Sequence, residues 1–140
     1  MDIIIDATNC IAGRLATRVA KEVLNGNRVH VVNVEKAVMS GNPVYTIQHF
    51  REKVQRGDPY HGAFYPRPPD RVFRRIVRGM LPHHRPRGKA ALHRLHVHIS
   101  TPPELVNKPM KRYAEAENRL EHKYVTLGLL SERLGAKKRW

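Results

Sequence analysis

Sulfur chemistry is almost absent from this chain, which contains a single cysteine, Cys10. One thiol excludes a disulfide within the chain and fits a reducing compartment. None of the usual Cys/His spacings of a zinc site occurs, so no metal is predicted. Histidines such as His96 and His98, which share one face of a predicted strand, lie close to arginines. That setting is more typical of RNA contacts or solvated side chains than of metal ligands.

The chain also lacks the apolar run of about 20 residues that a membrane-spanning helix needs. Its first residues, Met1-Asp2-Ile3-Ile4-Ile5-Asp6, begin acidic and enter a strand pattern at once, which is not the pattern of a signal peptide. We therefore expect no membrane partner. A basic protein bound to an anionic membrane surface is kept as one alternative, which flotation with anionic liposomes would test.

Motifs of catalysis and nucleotide binding are missing as well. The turn from Asp6 to Arg14 lies between a predicted strand and a predicted helix, where phosphate often binds, but it holds one glycine, Gly13. No G-x-G-x-x-G, P-loop or G-x-S-x-G sequence occurs. The sequence thus predicts a non-catalytic protein without cofactor or small-molecule substrate. A nucleotide-dependent enzyme that uses this turn is the second alternative.

Acidic residues are scarce, with 12 Asp and Glu against 26 Lys and Arg and a formal net charge of +14. The imbalance is concentrated in residues 67–94, which hold nine basic residues and one acidic residue. Residues 1–66, by contrast, hold eight and six. Because 41% of the chain is hydrophobic, this charge belongs to a folded protein rather than a disordered basic tail. A patch so concentrated predicts a nucleic acid as the partner.

The centre of the basic patch is a predicted helix over residues 70–81. At 3.6 residues per turn its apolar side consists of Val72, Phe73, Ile76, Val77 and Met80. Its opposite side consists of Arg71, Arg74, Arg75 and Arg78. A solvated helix face usually mixes charges of both signs, whereas no carboxylate follows Asp70 here. We therefore predict that these four arginines are unpaired and contact RNA phosphates from one helix face.

More basic residues follow the predicted helix and lie near both ends of the chain. Residues 82–94 contain two prolines and predict an extended loop along the RNA backbone, with a short helical turn possible at 89–95. The RNA-binding candidates of this loop are His83, His84, Arg85, Arg87, Lys89 and Arg94. Secondary candidates are Arg14, Arg67 and, in the basic tail 136–140, Lys137, Lys138, Arg139 and Trp140. Since no DNA-reading motif occurs, a folded RNA is favoured over DNA.

Apolar periodicity predicts one α/β domain over residues 1–140. A buried strand at 3–5, a helix at 11–24 and a buried strand at 29–34 predict a right-handed βαβ unit. The further predicted elements are a short strand at 37–39, a helix at 43–56 capped by Asn42, a loop at 58–69, a half-buried strand at 95–99, a polar helix at 108–123 and a short helix at 127–134.

Several short motifs occur in one order along nearly the whole chain. They are Asp6-Ala7-Thr8 after a strand, Gly13-Arg14-Leu15-Ala16, Val32-Asn33-Val34-Glu35-Lys36, Ser40-Gly41-Asn42, Val77-Arg78-Gly79-Met80-Leu81-Pro82 with Gly88, and Leu95-His96-Val97. Together they resemble the universal L13 family of large-ribosomal-subunit proteins. Residues 65–71, residues 124–130 and the short length resemble its archaeal type.

This resemblance implies a fold and a function. The fold is a three-layer α/β/α arrangement around a four-stranded, mostly parallel sheet in the order 3-2-1-4, with a basic loop and a C-terminal extension. The function is that of a structural constituent of the large ribosomal subunit, which binds large-subunit ribosomal RNA and helps it fold during assembly. Such a protein is expected in the cytoplasm, as a monomer within the ribosome and beside neighbouring large-subunit proteins.

Overall fold

The structure is a computed structural model that describes residues 1–140. Its strands are β1 (Asp2–Asp6), β2 (Arg28–Val32), β3 (Val38–Ser40), β4 (Leu95–Val97) and β5 (Tyr124–Thr126). Its α-helices are α1 (Ala12–Leu24), α2 (Pro43–Gln55), α3 (Pro69–Gly79), α4 (Pro86–His93), α5 (Pro103–Val106) and α6 (Leu127–Arg133). Two 3₁₀ turns cover Val34–Lys36 and Ala114–Ala116.

The main sheet is parallel and has the strand order β1-β2-β4. Its register aligns Ile4, His30 and His96 across the three strands. The parallel α/β character and the βαβ unit formed by β1, α1 and β2 are confirmed. The four-stranded sheet in the order 3-2-1-4 is wrong, because β3 pairs antiparallel with β5 in a separate two-stranded sheet.

The conformation of Asn33 explains why β3 leaves the main sheet. Directly after β2, Asn33 adopts a left-handed conformation with φ 55°. The 3₁₀ turn Val34–Lys36 follows at once, so the chain changes direction before β3 begins. The side chain of Asn33 fixes this turn by donating to Asp6 Oδ1 over 3.1 Å.

The two faces of the main sheet are covered unequally. Alternate side chains such as Ile5, Val31 and Leu95 enter a cluster of 25 buried residues, which includes Leu15 of α1 and Phe73 of α3. On the other face, Ile4 and Val32 form a cluster of three with Leu105 of α5. The predicted second helical layer is therefore reduced to one short helix.

Local signals define the ends of α1, α2 and α6, and the predicted Asn42 cap of α2 is confirmed. Asn42 caps α2, since its side chain accepts from the Val44 N–H over 3.0 Å, and Pro43 occupies the first helical position. After α1, Gly26 adopts φ +96°, a conformation that glycine tolerates well. In α6, the Thr126 side chain accepts from the Leu129 N–H.

Residues 108–123 do not form the predicted helix. Residues 108–118, here called the strap, instead run along the edge of β1. In the strap, the Lys111 N–H donates to the Ile4 carbonyl over 2.7 Å. Further along the strap, the Ile11 N–H donates to the Ala116 carbonyl over 2.7 Å. The backbone groups of this segment bind the body of the protein instead of one another. The strap thereby covers an edge strand that would otherwise be open.

Residues 82–94 are not an extended loop, because residues 86–93 form α4, a helix that begins and ends earlier than the helical turn predicted at 89–95. Pro86 occupies the first helical position, where the missing N–H of proline costs little. Gly88 makes the tight approach to the preceding turn possible: a Cβ at this position would lie 2.0 Å from the Pro82 carbonyl oxygen. The candidates Arg87 and Lys89 are therefore helical residues.

Candidate nucleic-acid interface

Helix α3 presents a buried apolar stripe and a basic face. Val72, Phe73 and Val77 are fully buried against the core, as the periodicity predicts. Met80 is 40% exposed and follows the last helical residue, so its predicted place on the apolar side is wrong. The four arginines on the basic face differ in their surroundings.

Arg74 bonds to the chain itself. Its Nη1 donates to the Leu95 carbonyl over 2.7 Å, and its Nη2 donates to the Leu92 carbonyl over 3.1 Å. This guanidinium joins α3 to the end of α4 and the start of β4. Arg74 thus has no carboxylate partner, as predicted for all four arginines, but its guanidinium is engaged by backbone carbonyls, and its phosphate contact stays a prediction.

The other three arginines of α3 have no carboxylate partner. Arg75 lies over the ring of Tyr65, with 4.9 Å from its Cζ to the ring centroid. Burial raises the pKa of Tyr65, while the nearby charges of Arg75 and Arg78 oppose that rise. Arg71 is exposed and Arg78 is partly exposed, and neither guanidinium makes a hydrogen bond or ion pair within the chain.

Around α4, the basic candidates are mostly free in solvent. Arg85, Arg87 and Lys89 are exposed and take part in none of the ion pairs. Arg94 is partly exposed and donates weakly to the Val23 carbonyl at 3.4 Å. Because α3 and α4 both pack on α1, this basic surface has a rigid base.

Two adjacent histidines lie in the turn between α3 and α4. The ring centroids of His83 and His84 are 4.1 Å apart, and His83 Nδ1 is 3.4 Å from the Leu81 carbonyl oxygen. His84 is exposed and His83 is partly exposed. Both predicted RNA contacts therefore face a surface that a partner can reach.

The secondary candidates are spread over the surface. Arg14 is exposed on α1, and Arg67 lies beside Gly135, at the start of the tail. In the tail, Lys138 pairs with Glu132 over 3.5 Å, whereas Lys137 and Arg139 are exposed and unpaired.

Trp140 packs on the body of the protein. Its indole covers Gly128, where an added Cβ would meet Nε1 at 3.0 Å. The side chain is partly buried and lines a groove with Glu35 and Lys36. The end of the basic tail is thus fixed near α6, and the predicted RNA contact of Trp140 stays a prediction.

Six of the twelve carboxylates have a basic partner, and all six contacts lie away from the basic surface. Five are ion pairs, Arg18–Glu115, Lys111–Glu22, Arg112–Asp6, Arg119–Glu117 and Lys138–Glu132, and the sixth is the contact of His61 with Asp58. None of them includes a residue of 67–94. The single carboxylate of that segment, Asp70, has a buried Oδ1 without a partner. The nine basic residues of 67–94 therefore have no counter-charge within the chain.

Two further cations, Lys53 and Arg56 of the α2 end, lie close to this surface. With Arg75 they line a cleft between α2 and α3. Sequence reasoning missed them because residues 1–66 are nearly neutral as a whole. The signal that could have found them is their i, i+3 spacing at the end of a predicted helix, which places both cations on one side of it.

The turn after β1 is occupied by the chain. Burial by itself raises the pKa of Asp6, but hydrogen bonds from Thr8, Asn33 and Arg112 outweigh it and lower the pKa to about 2. An ionised carboxylate at this place repels phosphate, which argues against the nucleotide site considered above. Burial raises the pKa of the Cys10 thiol, so this cysteine is a poor nucleophile.

The strand histidines come together on the thinly covered face of the sheet. His30 Nδ1 lies 3.2 Å from His98 Nε2, and the His30 ring stacks on His96 with centroids 4.9 Å apart. Burial lowers the pKa of His30 and of His98. No group of three or more His, Cys, Asp or Glu side chains has an arrangement that could hold a metal ion.

None of the helices combines the length and the apolar character that crossing a membrane requires.

Comparison with known proteins identifies related chains. The family described as Ribosomal protein L13 matches residues 1–104. A protein of Methanopyrus kandleri named large ribosomal subunit protein uL13 is 51% identical over 136 residues, which cover 94% of this chain and 86% of the relative.

Two more relatives with the same name show that the similarity extends beyond residue 104. The Methanosarcina barkeri protein is 42% identical, with 96% of this chain and 98% of the relative covered. The Haloarcula marismortui protein is 40% identical, with 99% of this chain and 94% of the relative covered. The sequence similarity therefore extends into the residues that form the strap, β5 and α6 in this chain.

Proposed function

Because the chain belongs to the ribosomal protein L13 family, we propose that it is a structural, non-catalytic constituent of the large ribosomal subunit. It binds large-subunit ribosomal RNA and helps that RNA fold during assembly. The observation that carries this proposal is the absence of any ion pair among the nine basic residues of 67–94. A rigid surface of uncompensated cations binds the phosphate backbone of a polyanion.

In this proposal, different groups of residues make different contacts with the RNA. Arg71, Arg75 and Arg78 contact phosphates from α3, and Arg85, Arg87 and Lys89 contact them from α4 and the turn before it. His83 and His84 add neutral donors or stacking surfaces. The outer contacts come from Arg14, Arg67, Arg94, Lys137, Lys138, Arg139 and Trp140. Arg74 mainly holds α3 against α4 and β4 and thereby orients its neighbours.

The whole chain acts as one domain over residues 1–140 in this proposal. The cluster of 25 buried residues runs from Ile5 to Leu134 and so includes both ends of the sequence, which supports one folding unit. The protein works as a single copy in the ribosome, in the cytoplasm, in contact with neighbouring large-subunit proteins and ribosomal RNA, without a membrane or a small-molecule substrate.

Replacing two solvent-facing arginines of α3 tests this proposal. We expect the double variant Arg71→Gln with Arg78→Gln to bind large-subunit ribosomal RNA about tenfold more weakly at moderate salt. The slope of log affinity against log salt concentration becomes less steep by about 1.5, since each lost phosphate contact contributes about 0.7 to 0.9 to that slope. Filter binding or fluorescence anisotropy over a salt series measures both quantities.

The double variant Lys21→Gln with Arg28→Gln is the matched control. Both residues are exposed, take part in no ion pair and lie outside 67–94. An equal loss in control and test variants would contradict the location of the surface. A flat salt response of the unmodified protein would contradict RNA binding through phosphates altogether.

A further inference from the structure

A cleft between α2 and α3 extends the basic surface to residues that belong to neither α3 nor α4. Its volume is about 470 Å³, and it opens to solvent. Its walls are Phe50 and Lys53 from α2, Arg56 directly after α2, Tyr65 from the loop before α3, and Arg75 and Gly79 from α3. Two elements that are distant in sequence thus form one concave site.

Every charged side chain that lines this cleft is positive. Lys53, Arg56 and Arg75 contribute three cations, and no carboxylate lines the walls. None of the three takes part in an ion pair within the chain. Cations held together in a concave surface repel one another and strengthen the local positive potential. The missing partner of the cleft is therefore an anion.

Aromatic rings hold two of these cations in place. Lys53 Nζ lies 5.2 Å from the Phe50 ring centroid and 5.6 Å from that of Tyr65. Arg75 Cζ lies 4.9 Å from the Tyr65 centroid. Such cation–π contacts restrict the side chains before any ligand arrives, which lowers the entropy lost on binding.

The same contacts decide which part of a nucleotide the cleft can accept. Lys53 and Arg75 both lie over Tyr65, and Phe50 meets its ring edge-on, with centroids 6.0 Å apart and an angle of 67°. A base that stacked on Tyr65 would have to displace these groups. A phosphate, in contrast, meets the outward N–H donors of the cations without disturbing the rings.

Arg75 also belongs to the basic face of α3. Arg71 lies four residues before it and Arg78 three residues after it, so all three share one side of the helix. An RNA strand bound across α3 reaches the cleft without a gap in the positive surface. This continuity favours an RNA backbone over a small phosphorylated molecule as the occupant.

We propose that the cleft between α2 and α3 binds a backbone phosphate of the RNA, with Lys53 and Arg56 as contact residues in addition to Arg75. This proposal rests on the proposed RNA-binding function and names a second binding element, α2. Tyr65 and Phe50 act as positioning residues, since they hold the cations and do not touch the phosphate.

The test uses the full chain and large-subunit ribosomal RNA transcribed in vitro. We expect Lys53→Gln with Arg56→Gln to weaken binding about fivefold and to lower the salt slope by about one. Arg56→Gln alone, at an exposed side chain, serves as the second variant if the double variant folds poorly, with about a twofold loss expected. Circular dichroism and thermal unfolding confirm that the variants are folded.

Arg51→Gln is the matched control for Arg56→Gln alone, because each removes one positive charge. Arg51 lies in α2 but lines a different groove with Leu129 and Arg133, where its Nη2 donates to the Arg133 carbonyl over 3.5 Å. We expect its RNA affinity to stay within twofold of the unmodified protein. If the cleft variants bind as the unmodified protein does, while Arg71→Gln with Arg78→Gln binds more weakly, the cleft proposal is wrong and the RNA-binding function stands. If the unmodified protein itself shows no salt-dependent RNA binding, the function proposal fails.

A positioning role for Tyr65 has its own readout. We expect Tyr65→Phe, which keeps the ring, to retain RNA affinity. We expect Tyr65→Leu to weaken it about twofold, as Arg56→Gln alone does, without a change in salt slope, because all three cations remain. Equal affinities for Tyr65→Leu and the unmodified protein would contradict the role of the ring. A saturable rise in melting temperature with inorganic pyrophosphate, together with unchanged RNA affinity in the cleft variants, would assign the cleft to a small phosphorylated ligand and overturn the proposal.

Discussion

The four arginines of α3 carry the same charge, but the structure surrounds them differently. Arg71 and Arg78 lie at the middle of the basic face and have no partner in the chain. Arg74 lies at one border of that face, where it reaches the carbonyls of Leu92 and Leu95. Arg75 lies at the other border, over Tyr65. Position around one helix thus decides whether a guanidinium group is free, bonded to backbone carbonyls or placed over an aromatic ring.

Replacement of Arg74 should reduce folding stability more than RNA affinity. We expect Arg74→Ala to lower the free energy of unfolding by about 2 kcal/mol, because two carbonyls lose charge-assisted hydrogen bonds. Arg74→Lys should restore only part of it, since an ammonium group does not reproduce the fork of the guanidinium. Urea unfolding of the free protein measures both effects.

Arg71→Ala is the control for that experiment, because the side chain is exposed and unpaired. It should change stability by less than about 0.5 kcal/mol and should lower RNA affinity. Equal stability of the Arg74→Ala and Arg71→Ala variants would show that the contacts to Leu92 and Leu95 contribute nothing to folding.

Asp6 makes the stability depend on acid pH. Its pKa falls from 3.8 to about 2 because hydrogen bonds from Thr8, Asn33 and Arg112 outweigh the opposing effect of burial. The folded state therefore favours the ionised form, and this contribution is complete above about pH 4 and is lost as the pH falls through 2. We expect a loss of about 1–2 kcal/mol, after allowance for solvent screening of the exposed part.

The variant Asp6→Asn should be less stable at neutral pH and should depend less on pH between 4 and 2. Urea unfolding at pH 7, 4 and 2 compares it with the unmodified protein. Parallel pH profiles for the two proteins would assign the acid sensitivity to other carboxylates, such as Glu22, whose pKa is lowered by its hydrogen bond with Tyr113.

At the scale of elements, local patterns predicted the parts of the fold that local forces determine. The apolar stripe of α1, the Asn42 cap of α2 and the β-branched run of β1 each correspond to an element in the structure. Their sequences alone supply the capping groups, the periodicity and the turn residues that define them. The arginine face of α3 was predicted on the same basis.

Elements that depend on distant contacts were predicted less well. Residues 108–123 are polar enough for a solvated helix, but their backbone groups bind the edge of β1. The pairing of β3 with β5 joins segments more than 80 residues apart, and no local signal specifies it. Arg74 differs from Arg71 through carbonyls of α4 and β4, which the helical pattern of α3 does not contain.

The prolines around α4 show a different cause of error. Pro82 and Pro86 indicate irregular backbone when they are counted together, yet Pro86 begins a helix. The same device begins α2 at Pro43 and α3 at Pro69. A proline near basic residues therefore marks the start of a helix as readily as a loop.

The approach of α4 to the turn at Pro82 makes Gly88 sensitive to substitution. We expect Gly88→Ala to destabilise the protein by about 3 kcal/mol, since the new Cβ would overlap the Pro82 carbonyl and force α4 away. RNA affinity should fall as well, because Arg87 and Lys89 move with the helix.

Gly13→Ala is the matched control, because Gly13 is also helical and nothing lies within 4 Å of an added Cβ. It should leave RNA affinity unchanged and raise stability by about 0.5–1 kcal/mol, as alanine favours the helix. Thermal or urea unfolding of both variants measures the difference. Similar stabilities for the two variants would mean that α4 does not need its close contact with the turn.

The molecule as a whole is a compact α/β body with an excess of positive charge on one region. Its 26 Lys and Arg side chains exceed its 12 Asp and Glu side chains by 14, and only five of these cations form ion pairs within the chain. In the free protein these cations repel one another, which destabilises the folded state. In the complex, the same cations would replace counterions on RNA.

Salt should therefore have opposite effects on the free protein and on the RNA complex. Between about 50 and 500 mM NaCl, a range in which the screening length falls several-fold, we expect the melting temperature of the free protein to rise by a few degrees, because screening weakens self-repulsion. Over the same range RNA affinity should fall by orders of magnitude. The basic side chains release counterions from the RNA when they bind, and this release is less favourable at high salt. The charge-neutralising double variant Arg71→Gln with Arg78→Gln should show a smaller rise in melting temperature and a shallower fall in RNA affinity with salt. A melting temperature that decreases with salt would mean that attraction within the chain outweighs repulsion, which contradicts a surface that depends on RNA for its counter-charge.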